Sequence, residues 1–476
     1  MTDPLLQALV AVLGERHAEP GAAAGSRLSD KHQHYHGKAR AFVRPASTEQ
    51  VAAVVRLCAE HGACVVVQGG NTGLMAAATP DDSGRAVLMS LERMNAIREV
   101  DTANDTLTAE AGCILRQVQL AAEGAGRLFP LSLGAEGSCT LGGNLGTNAG
   151  GTAVLRYGNT RDLTLGLEVV TAEGEIWHGL RGLRKDNTGY ALRDLYIGSE
   201  GTLGIITAAT LKLFPLPASR ATAYVSFNSL GDGVALLAHA RAGLSAGLTG
   251  FELMSAGCLA LVAEQFPGSV LPFDRLEQPW YALLELSYHG EHHEALECME
   301  RMLEGALAQG LIVDASLAQS LAQSQAMWQL RENMSEAQAR EGRNMKHDIS
   351  LPLARMEAFV ASTAERLQAR FPGVRHYTFG HLGDGNLHYN VASPLGMSVA
   401  EHMARYSALS RVVHDNVHAH GGSISAEHGI GLRKRDELPR YKSSVELNLM
   451  RRLKRALDPL NVLNPGKVVA LEAMPE

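Results

Sequence analysis

The sequence predicts an α+β protein with a glycine-rich, ligand-binding first half and a second half built from β-α-β units. Three observations support this fold class. Short apolar runs alternate with helical patterns over residues 40–216, three glycine clusters interrupt them, and two β-α-β patterns follow Pro215-Leu-Pro217. A chain of 476 residues is too long for one core, so we expect about two or three domains.

Composition and charge exclude several classes of protein. The formal charge of -7 argues against a nucleic-acid-binding protein, which usually carries a basic surface. The six cysteines form no C-x-x-C pair and are interpreted as reduced thiols of a cytoplasmic protein. The N-terminus lacks the basic region of a signal peptide, and no apolar run reaches the roughly 18 residues of a membrane span. We therefore expect a cytoplasmic protein, and peripheral contact with a membrane stays open.

The first elements follow from apolar spacing and capping residues. Residues 1–39 are expected to be a helical segment, and Ser47-Thr-Glu-Gln50 is typical of the start of a helix. Cys64-Val-Val-Val-Gln68 is a predicted buried strand that leads directly into Gly69-Gly-Asn-Thr-Gly73. Such a turn exposes successive backbone N–H groups and suits a phosphate or pyrophosphate, although a plain tight turn would have the same sequence.

Two further glycine clusters follow, at residues 130–151 and 198–206. The chain contains no complete G-x-G-x-x-G and no Walker A sequence. A Rossmann nucleotide-binding fold and a P-loop ATPase are therefore both disfavoured.

The second half is predicted to be a split ferredoxin-like domain over residues 218–430. Its expected strands and helices alternate as two β-α-β units. The expected strands are 222–227, 247–253, 281–286 and 311–315, and the expected helices are 234–242 and 294–307.

A set of His and Glu residues gives the strongest catalytic signal. His381 and His388 lie in Gly380-His-Leu-Gly-Asp-Gly-Asn-Leu-His-Tyr-Asn390, and Glu427 lies in Ser425-Ala-Glu-His-Gly-Ile-Gly431. Two imidazoles and a carboxylate form an open ligand set for a catalytic divalent metal. The glycines of the first stretch allow the tight turn that brings both histidines to one point. The alternative is that these are loop histidines with ordinary hydrogen bonds.

Three polar residues between these regions could bind a substrate. A predicted helix opens at residue 326 and carries Arg331, with Ser335 one turn further on the same side, and Lys346 follows. Arg331 can bind a carboxylate through two parallel hydrogen bonds, while Lys346 supplies a point charge. The alternative for each cation is a solvated surface position.

The three glycine clusters resemble, in order and separation, the FAD-binding domain of the vanillyl-alcohol-oxidase/para-cresol-methylhydroxylase superfamily. The resemblance implies a two-part FAD-binding domain of the para-cresol-methylhydroxylase type over residues 40–217. A C-terminal segment, residues 431–476, is expected to return to it. The cofactor-binding residues implied are Gln68, Gly69, Gly70, Asn71, Thr72, Gly73, Leu74, Leu133, Gly134, Gly137, Ser138, Thr140, Gly142, Gly143, Asn144, Thr147, Asn148, Gly150, Glu200, Gly201, Gly204, Ile205, Ile206 and Asn464.

Some members of this superfamily attach FAD covalently through His or Cys. Neither residues 68–73 nor residues 132–144 contain a histidine, and similar sequences of the 2-hydroxyacid branch hold FAD non-covalently. We therefore expect non-covalent FAD and interpret Cys113 and Cys139 as packing residues.

The second half resembles the D-2-hydroxyacid dehydrogenase branch, and residues 344–352 are more similar to the D-2-hydroxyglutarate than to the D-lactate enzymes. The resemblance implies that Arg331, Ser335 and Lys346 contact substrate carboxylates. Ser335 stands where the family has threonine, which leaves the preferred chain length open. The same resemblance implies His381, His388 and Glu427 as ligands of zinc or manganese, Asn390 as a substrate contact and His428 as the catalytic base, with Arg331 assisting catalysis.

The implied reaction is oxidation of a D-2-hydroxy acid to the 2-oxo acid, with hydride passing to flavin N5 and the proton to His428. D-2-hydroxyglutarate or a similar dicarboxylate such as D-malate is the expected substrate. A D-lactate dehydrogenase-like enzyme and an O₂-using oxidase are close alternatives. A metallohydrolase or a non-catalytic metal-binding module would leave the glycine clusters unexplained. The expected electron acceptor is an electron-transfer flavoprotein or a quinone, and a homodimer is one expected assembly.

Overall fold

The computed structural model describes residues 3–342 and 344–471, and the chain divides into two units. The first unit comprises Met1–Gly150, Gly158–Leu216 and Glu427–Glu476, and the second comprises Gly151–Tyr157 and Pro217–Ala426. The expected C-terminal segment is described as far as residue 471.

Strands and helices alternate through both units. Within the described residues the strands are β1 (Ala18–Pro20), β2 (Ala39–Val43), β3 (Cys64–Gln68), β4 (Ala86–Ser90), β5 (Ile97–Asp101), β6 (Thr106–Glu110), β7 (Arg127–Leu128), β8 (Thr164–Val170), β9 (Ile176–Gly179), β10 (Ile205–Lys212), β11 (Phe214–Pro215), β12 (Ser219–Phe227), β13 (Leu248–Ser255), β14 (Trp280–Tyr288), β15 (Asp314–Leu317), β16 (Asp348–Ser350), β17 (Arg375–His381) and β18 (Asn386–Ala392). The α-helices of the same residues are α1 (Pro4–Leu13), α2 (Thr48–Glu60), α3 (Leu115–Gly124), α4 (Leu141–Thr147), α5 (Val154–Tyr157), α6 (Arg193–Tyr196), α7 (Leu230–Leu244), α8 (Ala256–Gln265), α9 (His292–Ala308), α10 (Leu321–Glu332), α11 (Met334–Glu341), α12 (Met356–Arg370), α13 (Val399–Ala404), α14 (Tyr406–Ala419), α15 (Leu438–Tyr441) and α16 (Ser444–Leu457).

The first unit contains two larger sheets, with strand orders β1-β2-β4-β3 and β5-β6-β10-β8-β9. Strands β2, β4 and β3 are parallel, whereas neighbouring strands of the second sheet are antiparallel. Buried residues of both sheets and of α1 and α2 form one apolar core. The two-part architecture is the predicted one, but residues 1–39, expected to be a helical segment, also contribute strand β1 to the first sheet.

Helix α2 starts where its capping residues indicate. The Ser47 hydroxyl accepts the N–H of Gln50 at 3.3 Å, and the Gln50 side chain accepts the N–H of Ala46 at 2.8 Å. The apolar stripe of α2 is fully buried, as its helical spacing predicts. This stripe consists of Val51, Val54, Val55 and Cys58.

The C-terminal segment returns to the first unit, as expected. Beyond α16, the backbone N–H of Val65 in β3 donates to Val462 O at 2.7 Å, and Asn464 N–H donates back to Val65 O at 2.8 Å. The Lys454 ammonium is buried and donates to Thr202 O at 2.8 Å. Helix α16 and the turn after it are therefore fixed to this unit by hydrogen bonds.

The second unit is one antiparallel sheet in the order β15-β12-β14-β13-β17-β18-β16. The order of its first four strands, with α7 and α9 between them, is the predicted ferredoxin-like arrangement. The hairpin of β17 and β18, with β16 at the edge, extends this sheet. No helix of the described residues is long and apolar enough to cross a membrane.

Two predicted elements of the second unit differ from the structure. The strand expected at 311–315 is observed as β15, Asp314–Leu317. It begins later than expected because a turn follows α9, in which the N–H of Leu311 donates to Ala306 O. The helix expected to carry both Arg331 and Ser335 is interrupted at Asn333, between α10 and α11.

Candidate functional site

The three glycine clusters surround one cavity in the first unit. Its empty volume is about 1020 Å³, which includes space open to solvent. Most of the predicted cofactor-binding residues line it, and so does His428, the predicted base. The lining residues are Val67, Gly69, Gly70, Asn71, Thr72, Gly73, Met75, Ala76, Ala77, Ala78, Leu91, Ala111, Thr140, Gly142, Gly143, Asn144, Gly146, Thr147, Glu200, Gly201, Gly204, Ile206 and His428.

Close approach between the first two clusters explains two of the glycines. A Cβ atom on Gly70 would lie 2.0 Å from the backbone O of Ser138, and one on Gly69 would lie 2.2 Å from Thr140 Oγ1. A Cβ on Gly73 would meet no heavy atom within 4 Å. The packing of the two loops therefore requires glycine at Gly69 and Gly70, whereas Gly73 has open space beside it and lines the cavity.

Some predicted cofactor-binding residues lie outside the cavity wall. These residues are Gln68, Leu74, Leu133, Gly134, Gly137, Ser138, Asn148, Gly150, Ile205 and Asn464. The buried Gln68 amide donates to Arg27 O and Ala78 O, both at 3.0 Å. The Asn464 amide donates to Ala77 O at 3.0 Å and Glu200 O at 2.7 Å. Both side chains thus support residues of the cavity wall.

Several lining residues were missed from the sequence because they are small or apolar. They are Val67, Met75, Ala76, Ala77, Ala78, Leu91, Ala111 and Gly146. The run Met75–Ala78, directly after the first cluster, is the one signal that could have found part of this set. Such residues lack chemistry that would distinguish them from core residues.

The wall of this cavity fits a flavin dinucleotide. Glycine-rich backbone suits a pyrophosphate, and apolar residues such as Leu91 and Ile206 suit an aromatic ring system. The Thr140 Oγ1 atom is buried and has no hydrogen-bond partner among the described residues. Because buried polar atoms normally have such a partner, a polar group of a bound ligand would suit this position. The residues that would hold FAD are those of the three clusters.

The chain after His428 is held by a buried carboxylate. Glu200 is 7% exposed, and its side chain accepts the backbone N–H groups of Ile430 at 2.7 Å and Gly431 at 2.8 Å. Glu200 itself has φ +53°, and its N–H donates to Gly146 O at 2.8 Å. One residue of the third cluster thus fixes the turn next to the predicted base.

Burial governs the protonation of this carboxylate. It raises the pKa of Glu200 to about 7, against the two backbone hydrogen bonds and nearby Lys467 and Lys434, which lower it. Lys467 donates to Thr79 O at 2.7 Å, and burial lowers the pKa of its ammonium to about 8. The predicted turn at 464–467 therefore brings one buried cation toward this carboxylate.

In the second unit, Arg331 is buried rather than solvated. Its Nε atom donates to the Glu252 carboxylate at 2.7 Å, and its guanidinium lies 4.9 Å from the centroid of the Phe379 ring. Glu252 is fully buried in β13, and its other oxygen contacts His381 Nδ1 at 2.6 Å. Arg331 and His381, predicted separately as substrate and metal residues, thus share one carboxylate.

The hairpin of β17 and β18 brings the two predicted metal-binding histidines together. The rings of His381 and His388 have centroids 5.7 Å apart and are nearly perpendicular. Gly380, at φ +152°, leaves no room for a Cβ, which would lie 2.5 Å from Asn386 O. His388 Nδ1 is 3.8 Å from an oxygen of the buried Asp348. Asp348 is a further carboxylate beside this pair.

Glu427 and His428 begin the last segment of the first unit. Glu427 Oε1 and His428 Nε2 are 3.8 Å apart, and both side chains are about one-fifth exposed. His428 lines the cavity described above, whereas Glu427 does not.

The remaining substrate candidates differ in exposure. Ser335 is exposed, and the interruption at Asn333 separates its helix from that of Arg331. Lys346 is half-buried. Asn390 is 3% exposed and donates to Gln338 Oε1 at 2.9 Å, while its Oδ1 has no hydrogen-bond partner among the described residues.

Glu252 and Asp348 were not predicted from the sequence as site residues. Glu252 lies within Phe251-Glu-Leu-Met254, where an acid in an apolar strand is the signal of a paired buried charge. Asp348 follows Lys346 by two positions, next to a buried histidine, and a similar argument could have found it. Both residues contact predicted site residues through side chains that only the tertiary fold brings together.

Comparison with known proteins shows the family of this chain. The FAD binding domain family matches residues 39–179, and the family of FAD linked oxidases, C-terminal domain, matches residues 216–468. The D-2-hydroxyglutarate dehydrogenase, mitochondrial, of Bos taurus is 40% identical over 440 residues, which cover 92% of this chain and 78% of that protein. The D-2-hydroxyglutarate dehydrogenase of Xanthomonas citri pv. viticola is 39% identical over 428 residues, covering 90% and 89%.

A solved structure of p-cresol methylhydroxylase with substrate bound has a TM-score of 0.78 at 18% identity, covering 98% of this chain and 96% of that one. This similarity confirms the predicted fold. The chain belongs to the FAD-linked oxidase family. The predicted enzyme class, an FAD-dependent dehydrogenase acting on CH–OH donors, is likewise confirmed.

Proposed function

We propose that the enzyme oxidises a D-2-hydroxy acid to the 2-oxo acid, with D-2-hydroxyglutarate or a similar dicarboxylate such as D-malate as substrate. The two relatives named D-2-hydroxyglutarate dehydrogenases support this proposal. The observation that carries it is the position of His428, in the wall of the cavity that the three glycine clusters surround. An alcohol C–H bond is not acidic, so its electrons leave only as the hydroxyl loses its proton, and His428 is the proton acceptor proposed here.

FAD, when bound, supplies the two-electron acceptor. We propose that it is held non-covalently, because the candidate thiols are poor nucleophiles. Cys113 and Cys139 are buried, and burial raises the pKa of both thiols, that of Cys113 to about 11. Attachment requires a thiolate, which burial disfavours.

The proposed metal ligands are His381, His388 and Glu427, and zinc or manganese is the proposed ion. This donor set of two imidazoles and one carboxylate suits either ion, and the paired rings on β17 and β18 support the proposal. A divalent ion would supply a Lewis acid that favours loss of the hydroxyl proton.

Substrate carboxylates would be bound by Arg331, Lys346 and Ser335. Arg331 keeps two terminal nitrogens beyond the Nε bond to Glu252, and these can bind a carboxylate in parallel. The Oδ1 atom of Asn390, which has no hydrogen-bond partner in the part of the chain that the structure describes, supports a role as acceptor for a substrate hydroxyl. A second cation at Lys346 favours a dicarboxylate over D-lactate.

The proposed electron acceptor is an electron-transfer flavoprotein or a quinone, and a cytoplasmic homodimer stays our prediction for the assembly and its location. An oxidase would instead release peroxide under air. Peroxide production matching substrate consumption would contradict the dehydrogenase assignment.

Steady-state turnover with a redox dye tests the proposed function. The panel contains the D and L forms of 2-hydroxyglutarate, malate and lactate, before and after treatment with a metal chelator. We expect the D-dicarboxylates to react fastest, and chelation to remove activity that zinc or manganese restores. Preference for an L form, or full activity in metal-free protein, would contradict the proposal.

A further inference from the structure

The buried carboxylate of Glu252 lies between two side chains to which the proposed function gives different tasks. Its two oxygens contact Arg331 Nε at 2.7 Å and His381 Nδ1 at 2.6 Å. The residue is 0% exposed in β13, and the sheet register places it directly opposite His381 in β17. Both contacts lie within the second unit.

A buried carboxylate of this kind remains ionised only when its partners compensate for lost hydration. Arg331 carries a permanent positive charge, and its Nε–H donates to one oxygen of Glu252 at 2.7 Å, while the other oxygen lies 2.6 Å from His381 Nδ1. An ionised carboxylate can only accept hydrogen bonds. His381 therefore carries a proton on Nδ1, and Nε2 becomes the nitrogen suited to bind a metal.

The same carboxylate orients Arg331. Because Nε is bound to Glu252, the plane of the guanidinium is fixed, and the ring of Phe379 lies against it at 4.9 Å. With the plane fixed, both terminal nitrogens of Arg331 point in one direction. This is the geometry that two parallel hydrogen bonds to a substrate carboxylate require.

We propose that Glu252 is a positioning residue that sets both the metal-binding nitrogen of His381 and the carboxylate-binding edge of Arg331. This inference rests on the proposed function, since it takes the roles of His381 and Arg331 from there. It adds that metal affinity and substrate affinity depend on one shared side chain.

The variants that test this are Glu252→Gln, Glu252→Asp and the control Glu285→Gln. Glutamine keeps the shape but cannot accept from both partners, whereas aspartate keeps the charge. Glu285 on neighbouring β14 accepts the indole N–H of Trp328 in α10 at 2.8 Å. The control therefore loosens the same helix without touching the Glu252 contacts.

Zinc affinity is measured on the flavin-loaded enzyme by competition with a chromophoric chelator, beside KM and kcat for D-2-hydroxyglutarate. We expect Glu252→Gln to weaken zinc binding by about 10–100-fold, as loss of outer-shell partners of metal ligands does. KM should rise in the same variant, Glu252→Asp should recover part of both losses, and Glu285→Gln should match wild type. Flavin content and melting temperature report folding, and if Glu252→Gln fails to fold, the aspartate variant carries the test.

Two results separate this inference from the proposed function. Wild-type protein that binds no zinc and oxidises no D-2-hydroxy acid would overturn the proposed function, and the role of Glu252 with it. Wild-type protein that does both, with Glu252 variants whose zinc affinity and KM equal those of the control, would overturn the role of Glu252 alone.

Discussion

Each unit contains a buried carboxylate next to predicted functional residues, and the two differ in how they are compensated. Glu200 in the first unit accepts two backbone N–H groups, and burial raises its pKa to about 7. Glu252 in the second unit contacts an arginine and a histidine, which lower its pKa despite complete burial. Both carboxylates are buried and have cations nearby, but only Glu252 bonds directly to cationic side chains, and these outweigh the effect of burial on its pKa.

The contrast extends to the surroundings of the two carboxylates. The cavity of the first unit is walled by glycine backbone and small apolar residues, with few charges. The polar cluster of the second unit consists of side chains on β13, β17, β18 and α10 that contact each other. The first region should therefore be sensitive to added volume, and the second to changes of charge.

The largest effect is expected for added volume in the first unit, in Gly70→Ala. Its Cβ would lie 2.0 Å from a backbone oxygen, so the two loops must separate. We expect loss of bound FAD, all activity lost, and destabilisation of about 1–3 kcal/mol from overpacking. The ratio of flavin to protein absorbance measures the first effect. Gly124→Ala in α3, where the added Cβ would also meet no heavy atom within 4 Å but which lies outside the cavity wall, is the matched control and should retain FAD.

His428→Ala should have the next largest effect, because it removes the proposed proton acceptor without adding volume. Turnover is expected to fall by about 10²–10⁴-fold. Flavin content should be unchanged, because the other residues of the wall, including all three glycine clusters, are left intact. Near-normal turnover in flavin-loaded variant protein would exclude His428 as the base.

Lys346→Ala tests the sensitivity of the second unit to charge. A hydrogen bond to a charged group contributes about 1.5–3 kcal/mol, so kcat/KM for D-2-hydroxyglutarate should fall roughly 10–100-fold. D-lactate lacks the second carboxylate and should be affected much less. Equal losses for both substrates would show that Lys346 does not bind the second carboxylate.

Glu200→Gln is expected to change the pH dependence of stability. The folded-state pKa of Glu200 is about 7, above its ordinary value of 4.5. The protonated carboxyl of Glu200 stabilises the folded state, and this contribution is fully present below pH 4.5. It is lost as the pH rises to about 7, which lowers the free energy of unfolding by on the order of 3 kcal/mol. Urea unfolding between pH 5 and about 7.5 should show this decline in wild type and a flatter profile in the variant. Parallel profiles would mean that Glu200 does not hold its proton.

Local sequence signals predicted much of the fold. Strand β3 and the turn after it were predicted because an apolar run and adjacent glycines carry local information. The interruption at Asn333 was not predicted, because the residues around it continue a helical pattern and packing of α11 decides its direction. The spacing of strands and helices along residues 218–317 was sufficient to predict the ferredoxin-like arrangement.

Site residues could be predicted where a local motif contains distinctive side chains. They could not be predicted where they depend on contacts between residues far apart in the sequence. His381 and His388 stand out among glycines, and the hairpin brings them together. The link from Glu252 to Arg331 joins residues 79 positions apart, and no local pattern reports such a contact. The same holds for Glu200 and Gly431, which are 231 positions apart.

Anaerobic mixing of the flavin-loaded, metal-loaded protein with D-2-hydroxyglutarate tests the central claim most directly. We expect rapid bleaching of the flavin absorbance band with this compound and none with its L form. An unchanged band with every D-2-hydroxy acid tried, in protein that carries both FAD and metal, would contradict it.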